Sequence, residues 1–434
     1  MLKIITCINL VEVFSKKGKI HLENTLHVKN QNYIIELLVI CLVVAIAPVI
    51  VAGAIIPGLN DYGVYNLVVG VGFTIQVILL FVYFLFFTEK NIDKDFVFLL
   101  FFLIVSQSAT IYSAILLPID MDYIDVINAV GTVMSFIIFV CVPSALKITQ
   151  KGLTNFFISI VILGVLSCLY NLVINFQGMI NILEIESAYD VNFSSFYTNR
   201  NGFAQIIFFS IVANTYLLLV KKQKIYYLTF FFLGISLLLT ISRGGIAATV
   251  VFGLVFMLFT MKKSLVRNLS LALISFPIFF LLWFNPTANN FISSMLIREE
   301  TGTTGRFSFW LEGIKLLNQT NWFFGVGEFT SINYFRNLGY TVTELHSFYI
   351  ETLVKGGLAL FLFYIVIFVL MVNRYWVLKR ADREAGIIYI SALVSLLFYC
   401  LIESVSFFTI GYVGSLFTIF FITVPLLYSN NFLK

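Results

Sequence analysis

Arginines and one histidine, His346, stand out in a long polar stretch of a chain that is otherwise apolar. Residues 285–347 open with Asn285-Pro286 and carry Arg298, Arg306, Arg336 and His346 among Trp310, Trp322, Tyr334 and Tyr340. A polar connection of this length and composition is where recognition or catalysis is to be sought. Within it, Thr303-Thr304-Gly305 precedes a pattern that predicts a helix, with Phe307, Trp310, Leu311, Ile314 and Leu317 on one face. Thr304 fits its N-cap, which puts Arg306 in the first turn. A guanidinium beside a helix N-terminus suits a phosphate or pyrophosphate. Taken alone, Arg306 reads as readily as a headgroup-facing residue.

His346 follows Thr343-Glu344-Leu345 at the start of another apolar run. A neutral imidazole at a helix N-terminus can accept a proton; an isolated one equally fits a structural hydrogen bond. Arg243 lies in Ile241-Ser242-Arg243-Gly244-Gly245, between two apolar segments, where an ionisable group is a functional candidate or a snorkelling side chain. Arg200 lies in Thr198-Asn199-Arg200-Asn201-Gly202, which also reads as a capped turn. Glu403-Ser404 interrupts an apolar stretch, and Glu403 is a second candidate base or an arginine partner. Glu351 and Lys355, four apart, predict a simple pair near the membrane surface. Asp120, Asp122 and Asp125 are spaced like a metal-binding aspartate pair, but acidic residues are expected on an outer loop and are read as solvation. Gly325-Val-Gly327 serves a tight turn, with or without a ligand beside it. No Walker, H-E-x-x-H or G-x-S-x-G motif occurs.

The elements that must position these residues are membrane helices. Of 434 residues, 60% are hydrophobic and 11% charged, far below the charge of a soluble domain. Apolar stretches near 33–56, 64–87, 96–117, 124–142, 153–175, 202–220, 225–241, 246–261, 268–284, 348–372, 387–402 and 410–428 predict an all-α polytopic membrane protein of about 12 transmembrane helices. It would carry one long extracytoplasmic loop containing short helices. The organisation expected is a cytoplasmic amphipathic segment over 1–32, helices one to nine over 33–284, the loop over 285–347, and helices ten to twelve over 348–434. All of the 27 basic residues except Arg200, Arg243, Arg298, Arg306, Lys315, Arg336 and Lys355 fall on alternate connections. The positive-inside rule then places both termini in the cytoplasm and the long loop outside. The net charge of +5 is small and spread out, so nucleic-acid binding is not implied. The five cysteines show neither a disulfide framework nor a metal spacing.

Together, Asn199-Arg200-Asn201-Gly202, Ser242-Arg243-Gly244-Gly245, Thr304-Gly305-Arg306 with Trp310, Gly325-Val-Gly327 and His346-Ser347-Phe348-Tyr349 with Gly356-Gly357 resemble one known pattern. It is that of the O-antigen ligase and O-antigen or capsule polymerase family of bacterial membrane glycosyltransferases. The resemblance covers roughly residues 195–370. It implies transfer of a glycan from an undecaprenyl-pyrophosphate-linked oligosaccharide to a sugar hydroxyl, on the outer face of the cytoplasmic membrane, without metal or cofactor. It implies that Arg200, Arg243 and Arg306 bind pyrophosphate and that His346 is the base or an orienting group; Asn201, Trp310 and Glu403 are the expected substrate contacts. Membrane lipid, a flippase and a chain-length regulator are the expected partners. A polymerase is favoured over a ligase acting on lipid A core or protein, because the Phe-, Ile-, Asn- and Lys-rich composition fits an AT-rich organism without lipopolysaccharide. A transporter of lipid-linked sugars is the reading from another class.

Overall fold

The computed structural model describes residues 92–116, 121–180, 193–195, 197, 199–260, 306–340, 345–408 and 416–433. These residues form helices and no strand. Long helices are the expected answer for a bilayer, where every backbone polar group must be satisfied inside its own segment. Besides the single turn Phe176–Ile180, they are in chain order α1 (Lys94–Ile115), α2 (Ile124–Ser144), α3 (Gln150–Ile174), α4 (Arg200–Lys221), α5 (Ile225–Leu239), α6 (Arg243–Thr260), α7 (Arg306–Gln319), α8 (Glu328–Asn337), α9 (Phe348–Ala381), α10 (Arg383–Ile402) and α11 (Leu416–Ser429). Seven of them, α1 to α4, α6, α9 and α10, are long and apolar enough to cross a membrane; α5 and α11 are shorter apolar helices. The expected spans near 33–56, 64–87 and 268–284, and the amphipathic segment 1–32, lie outside the described residues.

Local chemistry starts these helices where the sequence supplies an acceptor side chain. Asp93, Thr149, Asn199 and Asp382 each cap a first turn by accepting from a backbone N–H two or three residues on. Packing then decides which helices are central. α4 and α10 are mostly buried and touch α3, α5, α6 and α9, whereas α6 shows the outside Val250, Leu254, Met257 and Leu258. Close approach needs small residues, as in other membrane bundles. Gly164 of α3 sits so near Ser210 of α4 that a Cβ would lie 2.0 Å from the hydroxyl. Much of the abundant phenylalanine fills this core edge to face, as in Phe209 with Phe417 at 4.8 Å.

The kink in α9 is the feature that brings the polar loop to the bundle. Gly357 adopts φ +63 and ψ −164, which breaks the helical ladder. The freed groups are paired by residues 322–327: Val326 and Gly327 N–H donate to the carbonyls of Val354 and Lys355, and Leu358 and Ala359 N–H donate to those of Trp322 and Phe323. Gly325, at φ +68, comes within a Cβ's width of the Val354, Gly356 and Gly357 backbone. The Gly325-Val-Gly327 turn is therefore a backbone-to-backbone docking point.

The short helix expected in the loop is present as α7, but its face is rotated from the expected one. Gly313, Leu316 and Leu317 are buried, while Phe307 and Leu311 are exposed. The reason is what α7 packs on: Gly313 meets Val354 and Ile350 of α9, a surface the loop's own periodicity does not report. The aspartates are a second correction. Asp125 is buried rather than solvated, and accepts from Phe329 N–H, Thr330 N–H and the Thr330 hydroxyl at 2.7–2.9 Å. Asp122 Oδ2 accepts from the Asn333 amide. Both anchor α8, a helix remote in sequence, to α2; Asp120 lies outside the described residues.

Candidate active site

The helix order places four helix N-termini, those of α4, α6, α7 and α9, around the C-terminal end of α10. Unpaired N–H groups and aligned peptide dipoles make each such terminus weakly positive. Glu403 is the residue on which they converge. It caps the end of α10, and its side chain is 9% exposed. One carboxylate oxygen meets Arg306 Nη2 at 3.1 Å. The other accepts from Asn201 Nδ2 at 3.4 Å and lies 3.8 Å from His346 Nδ1. Its backbone carbonyl accepts from Phe348 N–H at 3.2 Å, which fixes the start of α9 against the end of α10.

Arg306 is held on two sides. Nη1 donates to the Ile402 carbonyl and Nη2 to Glu403, while buried Nε has no partner. A planar guanidinium can serve several acceptors in fixed directions, so a clamped Arg306 still has a donor left. His346 has φ +52, a left-handed conformation rare for a side chain with a Cβ. Ile241, just before Ser242, has φ +52 as well. Backbone outliers of this kind collect at functional sites because the surrounding packing enforces them. Around His346 that packing includes Trp310, whose Nε1 donates to the Leu345 carbonyl at 2.8 Å. Trp310, expected to contact substrate, therefore sets the backbone that carries His346.

The remaining sequence candidates fall in place around this hub. Ser242 donates to Asn201 Oδ1 at 2.9 Å, joining the starts of α4 and α6. Arg200 and Arg243 head those two helices, half-buried, each with partners within the protein. Gly244 permits the approach: a Cβ there would stand 2.9 Å from both Glu403 Cγ and the Tyr399 ring. Arg336 is exposed at the end of α8 and belongs to none of these contacts. Sequence reasoning missed Ser242 as a linker and Asn201 as a Glu403 partner, since single polar residues flanking a prominent arginine carry no pattern of their own. It also underestimated Lys355, which pairs with Glu351 as expected but also with Glu328 at 2.7 Å.

A helical membrane protein that gathers an arginine, a histidine and a carboxylate at the mouths of its helices has the parts to bind an anion and move a proton. Residues 228–365 match the family model described as O-antigen ligase. That stretch contains Arg243, Arg306, Trp310 and His346, and leaves Arg200, Asn201 and Glu403 outside it. The match is consistent with the O-antigen ligase and polymerase family and supports a membrane glycan-transfer enzyme. The chain matches no curated protein.

Proposed function

We propose that the protein is a polysaccharide polymerase that joins undecaprenyl-pyrophosphate-linked repeat units of capsule, exopolysaccharide or O-antigen on the outer face of the cytoplasmic membrane. The observation that carries this reading is the meeting of Arg306, His346 and Asn201 on Glu403, at the focus of four helix N-termini. The pyrophosphate of the donor binds there, on the partly exposed Arg306 guanidinium, with Arg200 and Arg243 as further cations. His346 takes the proton of the acceptor hydroxyl at the nitrogen facing away from Glu403, and Glu403 steadies the imidazolium that forms, as a carboxylate does beside a histidine base. The acceptor oxygen bonds to the anomeric carbon, the bond to the phosphate oxygen breaks, and the electron pair leaves on undecaprenyl pyrophosphate. With His346 as the base and Glu403 engaged with Arg306, the displacement is single, so the anomeric configuration inverts. Fixed guanidinium and N–H groups stabilise the leaving charge without reorganising. This assigns the charge stabilisation to protein groups, and chelators should leave turnover unchanged.

The family description favours a ligase as the second reading, in which the same chemistry delivers a finished glycan to lipid A core or protein. Deletion separates the two: single repeats accumulating on carrier support the polymerase, and long unattached chains the ligase. Arg306→Ala and His346→Ala should each cut transfer by about 10²–10³-fold with the protein still in the membrane. Normal product from either variant would overturn its role.

A further inference from the structure

We propose that a polar cavity, next to the Glu403 cluster, binds the hydroxylated, uncharged end of the acceptor glycan. This deepens the glycosyl-transfer reading and rests on it. The cavity is about 70 Å³, room for several water molecules or one face of a sugar ring. It lies between α1, α2, the start of α8 and the first turns of α9. Gln107, Asn128, Thr132, Glu328 and Glu351 line its polar side, and Phe348 and Tyr364 give apolar faces. Aromatic faces beside amide, hydroxyl and carboxylate groups match the C–H and O–H surfaces of a sugar.

Charge selects the ligand. Lys355 is shared by Glu328 and Glu351, and Asn128 Nδ2 donates to the second oxygen of Glu328 at 2.7 Å. Asp125 also lines the cavity. Two glutamates and one aspartate face one ammonium, so ionised walls are net negative and disfavour a pyrophosphate. The glutamate oxygens retain lone pairs for hydroxyl donors, whereas Asp125 is occupied with the start of α8. Position ties the cavity to the reaction. The Ser404 hydroxyl donates to Glu351, and Ser404 directly follows Glu403. Phe348 stands two residues after His346. A sugar held here lies on the first turn of α9, two residues along the chain from the base, in a compartment whose charge disfavours the donor phosphates.

Two variants remove polarity and leave the lysine cluster intact: Gln107→Leu and Thr132→Val. The probe is the repeat-unit oligosaccharide released by mild acid from the carrier lipid of a deletion strain. Its binding to the full-length protein in nanodiscs is followed by saturation-transfer NMR. Wild type should bind it, each cavity variant should weaken it about tenfold, roughly 1.4 kcal/mol, and Arg306→Ala should bind it as wild type does. Failure of wild type to bind, wild-type affinity in both cavity variants, or loss of binding in Arg306→Ala alone would each overturn the proposal. Polymer formation is measured separately. Wild-type polymer from Arg306→Ala would refute the transfer reading, whatever the oligosaccharide does.

Discussion

Replacing Glu403 with glutamine tests the hub most directly. Glutamine keeps the shape that fits under Gly244 and leaves the backbone bond to Phe348 undisturbed. It removes one charge from three contacts at once: Arg306 at 3.1 Å, Asn201 at 3.4 Å and His346 at 3.8 Å. The stability cost is modest. A hydrogen bond to a charged group contributes about 1.5–3 kcal/mol. Arg306 is 21% exposed, keeps its bond to Ile402, and can still donate to the amide oxygen. We therefore expect a loss of about 1 kcal/mol. The catalytic cost is larger, since the imidazolium loses its counter-charge. General-base effects run to about 10²–10⁴-fold. The 3.8 Å separation is longer than a hydrogen bond, which puts the effect at the lower end, about 10²-fold or ~2.7 kcal/mol. The assay is a quenched time course of lipid-linked substrate with purified protein in vesicles, beside a thermal melt of the same preparation. Turnover within twofold of wild type, or a melt lost in proportion to activity, would refute the assigned role of Glu403.

Two further substitutions test the scaffold. Gly357→Ala adds a Cβ 2.4 Å from the Phe323 carbonyl at a residue with φ +63. It should destabilise the protein by about 3 kcal/mol or more, read as a lowered melting temperature, and an unchanged melt would contradict the docking of residues 322–327 on α9. Asp125→Asn leaves one acceptor oxygen where two serve three donors at the start of α8. The cost should be about 1–3 kcal/mol, seen as faster proteolysis within residues 328–337, and wild-type resistance there would show that Asp125 does not hold α8.

The membrane-helix character was legible in the sequence because each span is a local property. Twenty apolar residues without charge have one stable conformation in hydrocarbon, whatever surrounds them. The starts of α4, α6, α7 and α9 were legible for a similar reason, since caps, glycines and breaks in hydropathy act within one turn. So were Arg306 and His346, whose polarity is conspicuous against apolar neighbours. What the sequence did not contain was long-range partnership: it offered Glu403 as an arginine partner without saying which arginine. Glu403 is 97 residues from Arg306 and about twice that from Asn201, and no periodicity connects them. Asp122 and Asp125 read as solvated because nothing nearby in the chain needs a cap; α8, some 200 residues on, supplies that need. The face of α7 was misjudged for the same cause: its burial is set by α9. Composition and pattern thus determined which segments are helices and which residues are costly to keep in a membrane. Only the tertiary structure decided which of them meet, because charges far apart in the chain gain a shared environment only when the helices carrying them are packed together.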